Sequence, residues 1–565
     1  MLDSRALESW LKLTIGLVLL LLLNLLSSHF FFRLDLTEDK RYTIKEPTKD
    51  LLRELEGTVY VDVYLSGDMP AGFERLQTAI RETLEEFEVY AGPRLQYNFV
   101  DPLAAKSRQA QTKFLEELAA KGVQATDVFD AEDGKRISRR LVPGAVLSYK
   151  GQEKGVLFLK GNQALGPDEQ LNQSIEGLEY EIASAIHDLA RSRKRRIALL
   201  QGHGELSGAD IAAARALMQE SYEVKTVTLG SGQSLQGYDA LVIAKPETPF
   251  GESELFAIDQ FIMGGGKALV FADALRVNMD SAGGDGTVAL PYQTGLNDLL
   301  FRYGVRINDE LVMDLSAGTY PVVAGNFGDQ GNVIQLPWPF HPVANIFGDH
   351  PIVKNSDALT FRFVNTLDTV KATGVRKQPL VMSSPYTRIL ASPVTISFND
   401  FRQAPEPSFF QDGSLPFAYL LEGNFTSLWK NRLLPPGADK ARFRESSPET
   451  SILVVADGDF IRNEINVETG EPLPLGLEQF SRKQFGNADF LRNALSYMLD
   501  EQGLIEARVK EVKIRPLDKV KVEEESSYWQ AFNIVSPLVL LLLYGLFRYL
   551  WRRNRYAKQK KGDEL

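Results

Sequence analysis

Ala240–Phe271 reads ALVIAKPETPFGESELFAIDQFIMGGGKALVF, and its pattern decides the fold of the larger part of the chain. Ala240–Ala244 is a short, wholly apolar run bounded by polar residues, as expected of a strand covered on both faces. Ser253–Met263 then places Leu255, Ile258 and Ile262 on one helical face. Gly264–Gly266 reads as the cap that ends this helix, and Ala268–Ala272 (ALVFA) is a second apolar strand. A strand, a helix and a strand of these lengths imply a parallel, doubly wound α/β sheet.

Working outward, Ile197–Leu200 and Val224–Thr228 read as further strands around a helix at Ala209–Glu220, and Ile452–Ala456 (ILVVA) returns to the sheet pattern before a helix at Ala488–Leu499. Between them, from about 311 to 450, Pro is frequent and strands such as Ala358–Val364 and Val394–Phe398 read as a β-rich insertion. The doubly wound domain is therefore assigned to residues 194–505. Residues 57–193 read as a separate domain of order β-α-β-α-β-β-α. Its strands are Thr58–Leu65, Leu95–Val100, Ala145–Tyr149 and Val156–Leu159, and its helices are Phe73–Tyr90, Gln109–Lys121 and Leu171–Ala190. That order resembles a thioredoxin-like fold with Pro143 ahead of the hairpin. SGDMP (66–70) stands where a C-x-x-C would be, so no redox chemistry follows. The basic run Arg191–Arg196 (RSRKRR) reads as a solvated domain linker, with a nucleic-acid or lipid patch as the alternative.

Both ends are apolar. Leu13–Phe32 is 20 residues without Asp, Glu, Lys or Arg, and Trp529–Phe547 is 19. About 20 apolar residues span a bilayer core. The first run is longer than a signal-peptide core and lacks an A-x-A site. Arg548, Arg552, Arg553 and Arg555, with three lysines beyond, follow the second run and act as topology determinants on the cytoplasmic side. The expected layout is a cytoplasmic tail (1–12), a first transmembrane helix (13–32), a membrane-proximal stalk (33–56), the two domains, and an extended linker (506–528). A second transmembrane helix (529–547) and a basic cytoplasmic tail (548–565) complete it. Both tails then face the cytoplasm, and the bulk of the chain is periplasmic, anchored in a bacterial inner membrane.

The whole chain has a net charge of −11. Setting aside +1 for residues 1–33 and +5 for 548–565 leaves −17 between them, which argues against nucleic-acid binding. With no Cys, thiolate nucleophiles, disulfides and Cys-based metal sites are excluded.

Ligands of doubly wound sheets bind at the carboxyl ends of strands. There QGHGELSG (201–208) presents His203 and Glu205 between glycines, as an acid/base pair or a ligand contact. A structural turn with an internally bonded His is the simpler reading. The loop misses the third glycine of GxGxxG and has no Ser or Cys elbow. Gly264–Lys267 is not a Walker A loop, since Phe261 replaces its first Gly and Ala268 its Ser/Thr. Asp457 and Asp459 follow ILVVA, where acids can hold a metal, but EF-hand spacing and HExxH are absent. No cofactor and no definite metal site is expected. His203, Glu205, Asp457 and Asp459 are candidates for a ligand or partner loop.

Several longer segments carry a family resemblance: RLDLTEDKRYTI (33–44), QGHGE (201–205), the 240–271 stretch, PWPFHP (337–342), HPIVKN (350–355), DGDFIRNEI (457–465), GNADFLRNALSYML (486–499) and RPLDKVKV (515–522). With a helix at each end, these resemble the gliding-motility-associated ABC-transporter auxiliary components, the GldG family of Bacteroidota. The resemblance implies a substrate-binding-like, non-catalytic subunit beside a membrane permease subunit and a cytoplasmic ATPase subunit. It also implies a second domain similar to glutamine-amidotransferase-like or flavodoxin-like sheets. It carries over no catalytic set, because the amidotransferase cysteine has no counterpart here. A homodimer is compatible with it. Two other classes stay open: an envelope hydrolase using His203 and Glu205, and a solute-binding receptor, which two anchors disfavour.

Overall fold

The computed structural model describes residues 10, 12–22, 43–104, 107–132, 135–160, 166–191, 193–231, 234–278, 286–327, 330–398, 405–479, 481–500, 503–509 and 519–559. It forms two compact units, 1–511 and 512–565. The first is mixed α/β with several sheets and two large cores.

In the smaller core the sheet order is Leu95–Phe99, Val59–Val63, Gly144–Tyr149, Gln152–Leu157. The first pair is parallel and the others antiparallel. Val59, Val61 and Val63 alternate inward, as a half-buried strand requires. The helix Ala71–Ala91 lays Phe73, Leu76, Ile80, Leu84 and Phe87 on this sheet, the residues its helical spacing selects. Pro167–Ala190 packs beside it.

Two sequence expectations need correction in this region, and a third is qualified. Residues 43–56, the described part of the expected stalk, belong to the domain, because Glu46–Arg53 is a helix whose Leu51 and Leu52 join Ile44 and Leu55 in the core. The buried carboxylate of Glu179 accepts from Lys45 N (2.6 Å) and Thr48 Oγ1 (2.9 Å) and so ties this segment down. A hairpin of Thr126–Glu132 with Lys135–Leu141 adds two strands to the predicted order. Its charged alternation (DVFDAEDGKRISRRL) masks it as a loop. The basic run is exposed at Arg193 and Lys194, as expected of a linker, but it is also tethered. Lys194 Nζ donates to the carbonyls of Gln219 and Glu220 at a helix end. Arg195 pairs with Asp239 (3.0 Å), and Arg196 lies over the Tyr238 ring.

The larger core surrounds an eight-stranded sheet. Five strands are parallel, in the order Glu223–Val227, Arg196–Leu200, Ala240–Ala244, Lys267–Phe271, Ser446–Val455. In chain order that is second, first, third, fourth, fifth, a doubly wound arrangement with its switch point between first and third. Helices cover both faces. Ala212–Ser221 packs with Asn487–Leu499, and Glu252–Met263 with Leu296–Tyr303. Every residue of Ala240–Ala244 is buried, which explains its uninterrupted apolar sequence. Helix Glu252–Met263 ends where Gly264 N–H donates to the Gln260 carbonyl, and the chain enters the next strand at Lys267. Gly264–Lys267 is a helix cap.

Residues 311–450 do not form a separate insertion. Pro416–Thr426 pairs antiparallel with Ser446–Val455, Val375–Met382 with Pro416–Thr426, and Ile346–Phe347 completes the edge. The sheet is therefore mixed. What projects from it is smaller: the hairpin Ala317–Phe327/Gln330–Ala344 and the pair Glu310–Asp314/Thr387–Ala391. These share a core of Leu311, Met313, Trp338, Phe340, Val394, Ile396 and Phe410. The expected strand Ala358–Val364 shrinks to Leu359–Thr360.

In the second unit Lys519–Gln559 is one helix of 41 residues, so the C-terminal part of the expected extended linker is helical. Within it Glu525–Asn554 is long and apolar enough to cross a membrane, the one such helix among the described residues. Near the N-terminus Lys12–Leu22 is a shorter apolar helix, and the rest of the expected first span lies outside the described residues.

Candidate functional site

The carboxyl ends of the parallel strands present two distinct constellations. The first is the loop Gln201–Gly208. Gly202 and Gly204 have φ of 122° and 79°, left-handed values that turn the chain sharply after the strand. The turn brings His203 over Phe250, with ring centroids 3.9 Å apart. His203 Nε2 lies 2.9 Å from Glu254 Oε2, and its backbone N–H donates to Glu205 Oε2 (2.6 Å). The His203 carbonyl accepts from the backbone of Glu247 (2.7 Å) and Thr248 (2.9 Å), and Leu206 N–H donates to the Ala244 carbonyl. The loop after the first strand is thus stapled to the loop after the third, and the switch-point crevice is filled by backbone.

Burial would raise the Glu254 carboxyl, but the Gly251 N–H and His203 outweigh it and hold the group below its ordinary range. His203 Nδ1 stands 3.4 Å from Glu205 Oε1 without a hydrogen bond, and both atoms are buried and unpartnered. His203 and Glu205 are each 5% exposed, so the pair is buried.

The second constellation links four strand ends. Lys245 follows ALVIA, Asp273 follows ALVFA and Asp457 follows ILVVA, each directly after an apolar strand run. Lys245 Nζ bridges Asp273 Oδ2 (3.1 Å) and Asp459. Gly458 N–H donates to Asp273 Oδ1 (2.6 Å). A Cβ on Gly458 would fall 2.7 Å from Asp273 Oδ2 and from Lys245 Cγ, so the close approach requires glycine. Asp457 accepts from the backbone N–H of Asp459 (2.8 Å) and Arg362 (2.7 Å). Arg462 spans Asp459 (2.7 Å) and Asp210 (3.1 Å), the latter beyond the first strand.

The electrostatics follow from burial and these partners. Burial lifts Asp457 well above the carboxylate range, with Asp273 and Asp459 adding to it. Burial raises Asp273 too, against the pull of Lys245. For Asp459 burial is outweighed by Lys245 and Arg462, and its carboxyl is held low. The Lys245 ammonium loses to desolvation but gains more from its two aspartates, so it is raised. That ammonium sits between Asp273 and Asp459. Among the described residues no group of three His, Asp or Glu side chains is arranged to hold a metal ion.

Asp210, Arg362, Asp457, Asp459, Arg462 and Glu464 continue into the wall of a cavity of about 480 Å³, lined also by Tyr320, His341, Val467 and Leu477. The size is within the range of small-ligand pockets. Arg362 is paired with Glu464 at 2.6 Å. Burial drives the His341 pKa down to about 3, so the imidazole is neutral. The structure thus brings Asp457 and Asp459 to one cavity and leaves His203 and Glu205 outside its lining. Sequence reasoning missed Lys245, Asp273 and Arg462. The signal for the first two was there, a charged residue directly after each five-residue apolar run.

Comparison with known proteins places the chain in a wider group. A family model described as an ABC-type uncharacterized transport system auxiliary domain matches residues 194–494. A model for a domain of unknown function matches 38–148. An uncharacterized protein of Borreliella burgdorferi is 24% identical over 437 residues, covering 75% of this chain and 79% of its own length. Among solved structures, the mmIFT52 N-terminal domain aligns over 54% of this chain and 97% of its own, at 13% identity and a TM-score of 0.30. A ThuA-like protein from Parabacteroides merdae aligns over 58% and 94%, at 10% identity and a TM-score of 0.23. Neither score reaches the level at which a shared fold follows. Because the first family model spans more than half of its length, the chain belongs to the family of ABC-type transport system auxiliary proteins.

Proposed function

We propose that this protein is a non-catalytic, membrane-anchored subunit of an ABC-type transport complex, with a periplasmic region that binds a partner or cargo. The family match over 194–494 is the observation that carries the reading. The spanning-length helix Glu525–Asn554, followed by arginines, supports the anchor. In this reading both termini are cytoplasmic, and residues 13–32 form a second span. The smaller α/β domain is thioredoxin-like, and the larger one resembles the doubly wound glutamine-amidotransferase-like sheets. Energy then comes from a separate cytoplasmic ATPase subunit acting with a permease subunit, because Phe261 and Ala268 break the Walker A pattern at Gly264–Lys267. The cavity beside Asp457 and Asp459 is the proposed contact for cargo or partner, and an association with gliding motility follows from the sequence resemblance alone.

The test is purification of the full chain from its own membrane in mild detergent. A Walker A ATPase and a multi-span subunit should accompany it in fixed ratio. Recovery of the chain by itself, under conditions that keep other ABC complexes intact, would sink the proposal. The Cys-free sequence permits an independent check of topology. Cysteine at Ser234, an exposed position, should react with an impermeant maleimide from the periplasm, and cysteine at Gln559 should not.

A further inference from the structure

The helix Lys519–Gln559 continues past the end of its apolar stretch, and its residues there sort by face. Gly545, Arg548, Tyr549, Arg552 and Arg553 fall at i, i+3, i+4, i+7 and i+8 and line one recess. Leu546, Phe547, Leu550 and Trp551 fall on the opposite arc, all exposed. The glycine leaves a side-chain-free notch at the head of the arginine row, with no heavy atom within 4 Å of a Cβ built there.

Within their own stretch of sequence these cations have no counter-charge. From Ser526 to Gly562 the sequence contains no Asp or Glu. Arg548 and Arg552 stand four residues apart, a like-charge spacing that weakens a helix unless an anion lies between them. A planar guanidinium pairs with a phosphate through two parallel hydrogen bonds. The row begins one residue after the apolar run that ends at Phe547, beside Tyr544, Tyr549 and Trp551, which is the depth of lipid phosphates in a spanning helix.

We propose that Arg548, Arg552 and Arg553 form a binding site for the phosphate of an anionic phospholipid in the cytoplasmic leaflet. The inference rests on the anchored reading of this helix. The apolar arc packs against acyl chains or the helices of the complex, and the arginine arc gathers phosphatidylglycerol-type headgroups. The site makes the anchor sensitive to lipid composition, beyond setting its orientation.

The test uses the full chain in nanodiscs of phosphatidylcholine with and without phosphatidylglycerol, with native mass spectrometry counting the lipids retained on release. The wild type should retain phosphatidylglycerol in preference. Arg552→Gln should lower that preference about five-fold and the Arg548→Gln/Arg552→Gln/Arg553→Gln variant should abolish it. Lys558→Gln/Lys560→Gln/Lys561→Gln, which removes as much charge further along, should leave it intact. Equal retention of both lipids by the wild type overturns the site. So does equal loss in the lysine variant, which would mean diffuse charge. Displacement of the lipid by inorganic phosphate would assign the face to a free anion and overturn the lipid assignment. A face occupied only when the ATPase subunit is present would assign it to protein, with the same consequence. Extraction of the wild type from membranes at alkaline pH would instead overturn the anchor itself, so the two failures are separable.

Discussion

Lys245→Met tests the strand-end charge cluster directly. Lys245 sits at φ 54°, a left-handed value that methionine adopts at the same cost as lysine, so backbone strain cancels in the comparison. The substitution keeps the aliphatic stem and removes the ammonium 3.1 Å from Asp273. It leaves Asp273 and Asp459, whose side chains are 6% and 9% exposed, facing each other. Removing one partner of a buried ion pair costs about 3–5 kcal/mol. Arg462 stays on Asp459, which puts the expected loss at the lower end, about 3 kcal/mol. For a domain of this size that is a fall in Tm of roughly 6 °C, read by thermal unfolding of the detergent-solubilised chain.

The pH dependence gives the reasoning its sign. In the wild type Asp459 is held below its ordinary value, so its stabilisation is present above the unfolded value of about 3.9 and is lost as pH falls through the folded one. In the variant Asp459 and Asp273 both move upward. A carboxyl raised by folding costs nothing below its unfolded value and costs more as pH rises through its folded one. The deficit of Lys245→Met should therefore be small near pH 4 and grow to its full size by neutrality. An equal deficit at acid and neutral pH, or none at either, would refute the assignment.

Gly458→Ala should destabilise by about 1–3 kcal/mol in the same melt, because its Cβ meets Asp273 and Lys245 at 2.7 Å. An unchanged Tm would mean that the cluster yields. His203→Ala loses the bond to Glu254 and the stack on Phe250, for about 2–3 kcal/mol, and amide exchange should quicken across Gln201–Gly208. Protection that stays unchanged would show that the backbone bonds hold the loop unaided. His341 should show no titration by NMR between pH 5 and 8, since its pKa lies at about 3. Its contribution to stability should rise as pH climbs from about 3 to about 6.5 and level off above, because the unfolded chain binds the proton the folded one refuses.

What the sequence disclosed follows the physics of each segment. The parallel strands were legible because strands buried on both faces must be apolar throughout, as in ALVIA, ALVFA and ILVVA. Helix Ala71–Ala91 was legible because its apolar spacing is unbroken. The short helix Glu46–Arg53 was not, since eight residues with four charges read as a polar stalk while Leu51 and Leu52 make the contacts. The antiparallel half of the sheet was hidden for another reason. Nothing local in Val375–Met382 or Pro416–Thr426 specifies a partner; pairing is set by register with Ser446–Val455 and by the turn geometry between them. Asp457 and Asp459 could be placed at a strand end. Their union with Lys245 and Arg462 depends on strand order, which spacing does not encode.

That strand order also decides which crevice is open. In a doubly wound sheet the gap between the loops after the first and third strands is the usual ligand seat. Here the His203 carbonyl takes two backbone N–H groups from the third-strand loop, and the Phe250 ring stacks on the imidazole, so the seat is occupied by the protein itself. The open cavity lies elsewhere, lined by residues beyond the first and fifth strands. Asp210 there meets the fifth-strand loop through Arg462, and the long hairpin contributes Tyr320 and His341. The guanidinium groups of Arg362 and Arg462 are already paired with carboxylates, so a guest gains their hydrogen bonds only by sharing or displacing those partners. On the proposed function, binding at this cavity would therefore be coupled to the loop Asp457–Glu464 and, through Lys245 and Asp273, to the ends of the third and fourth strands. A guest that takes Arg462 from Asp459 should leave Lys245 as that carboxylate's remaining cation, and Lys245→Met should then weaken the guest as well as the fold.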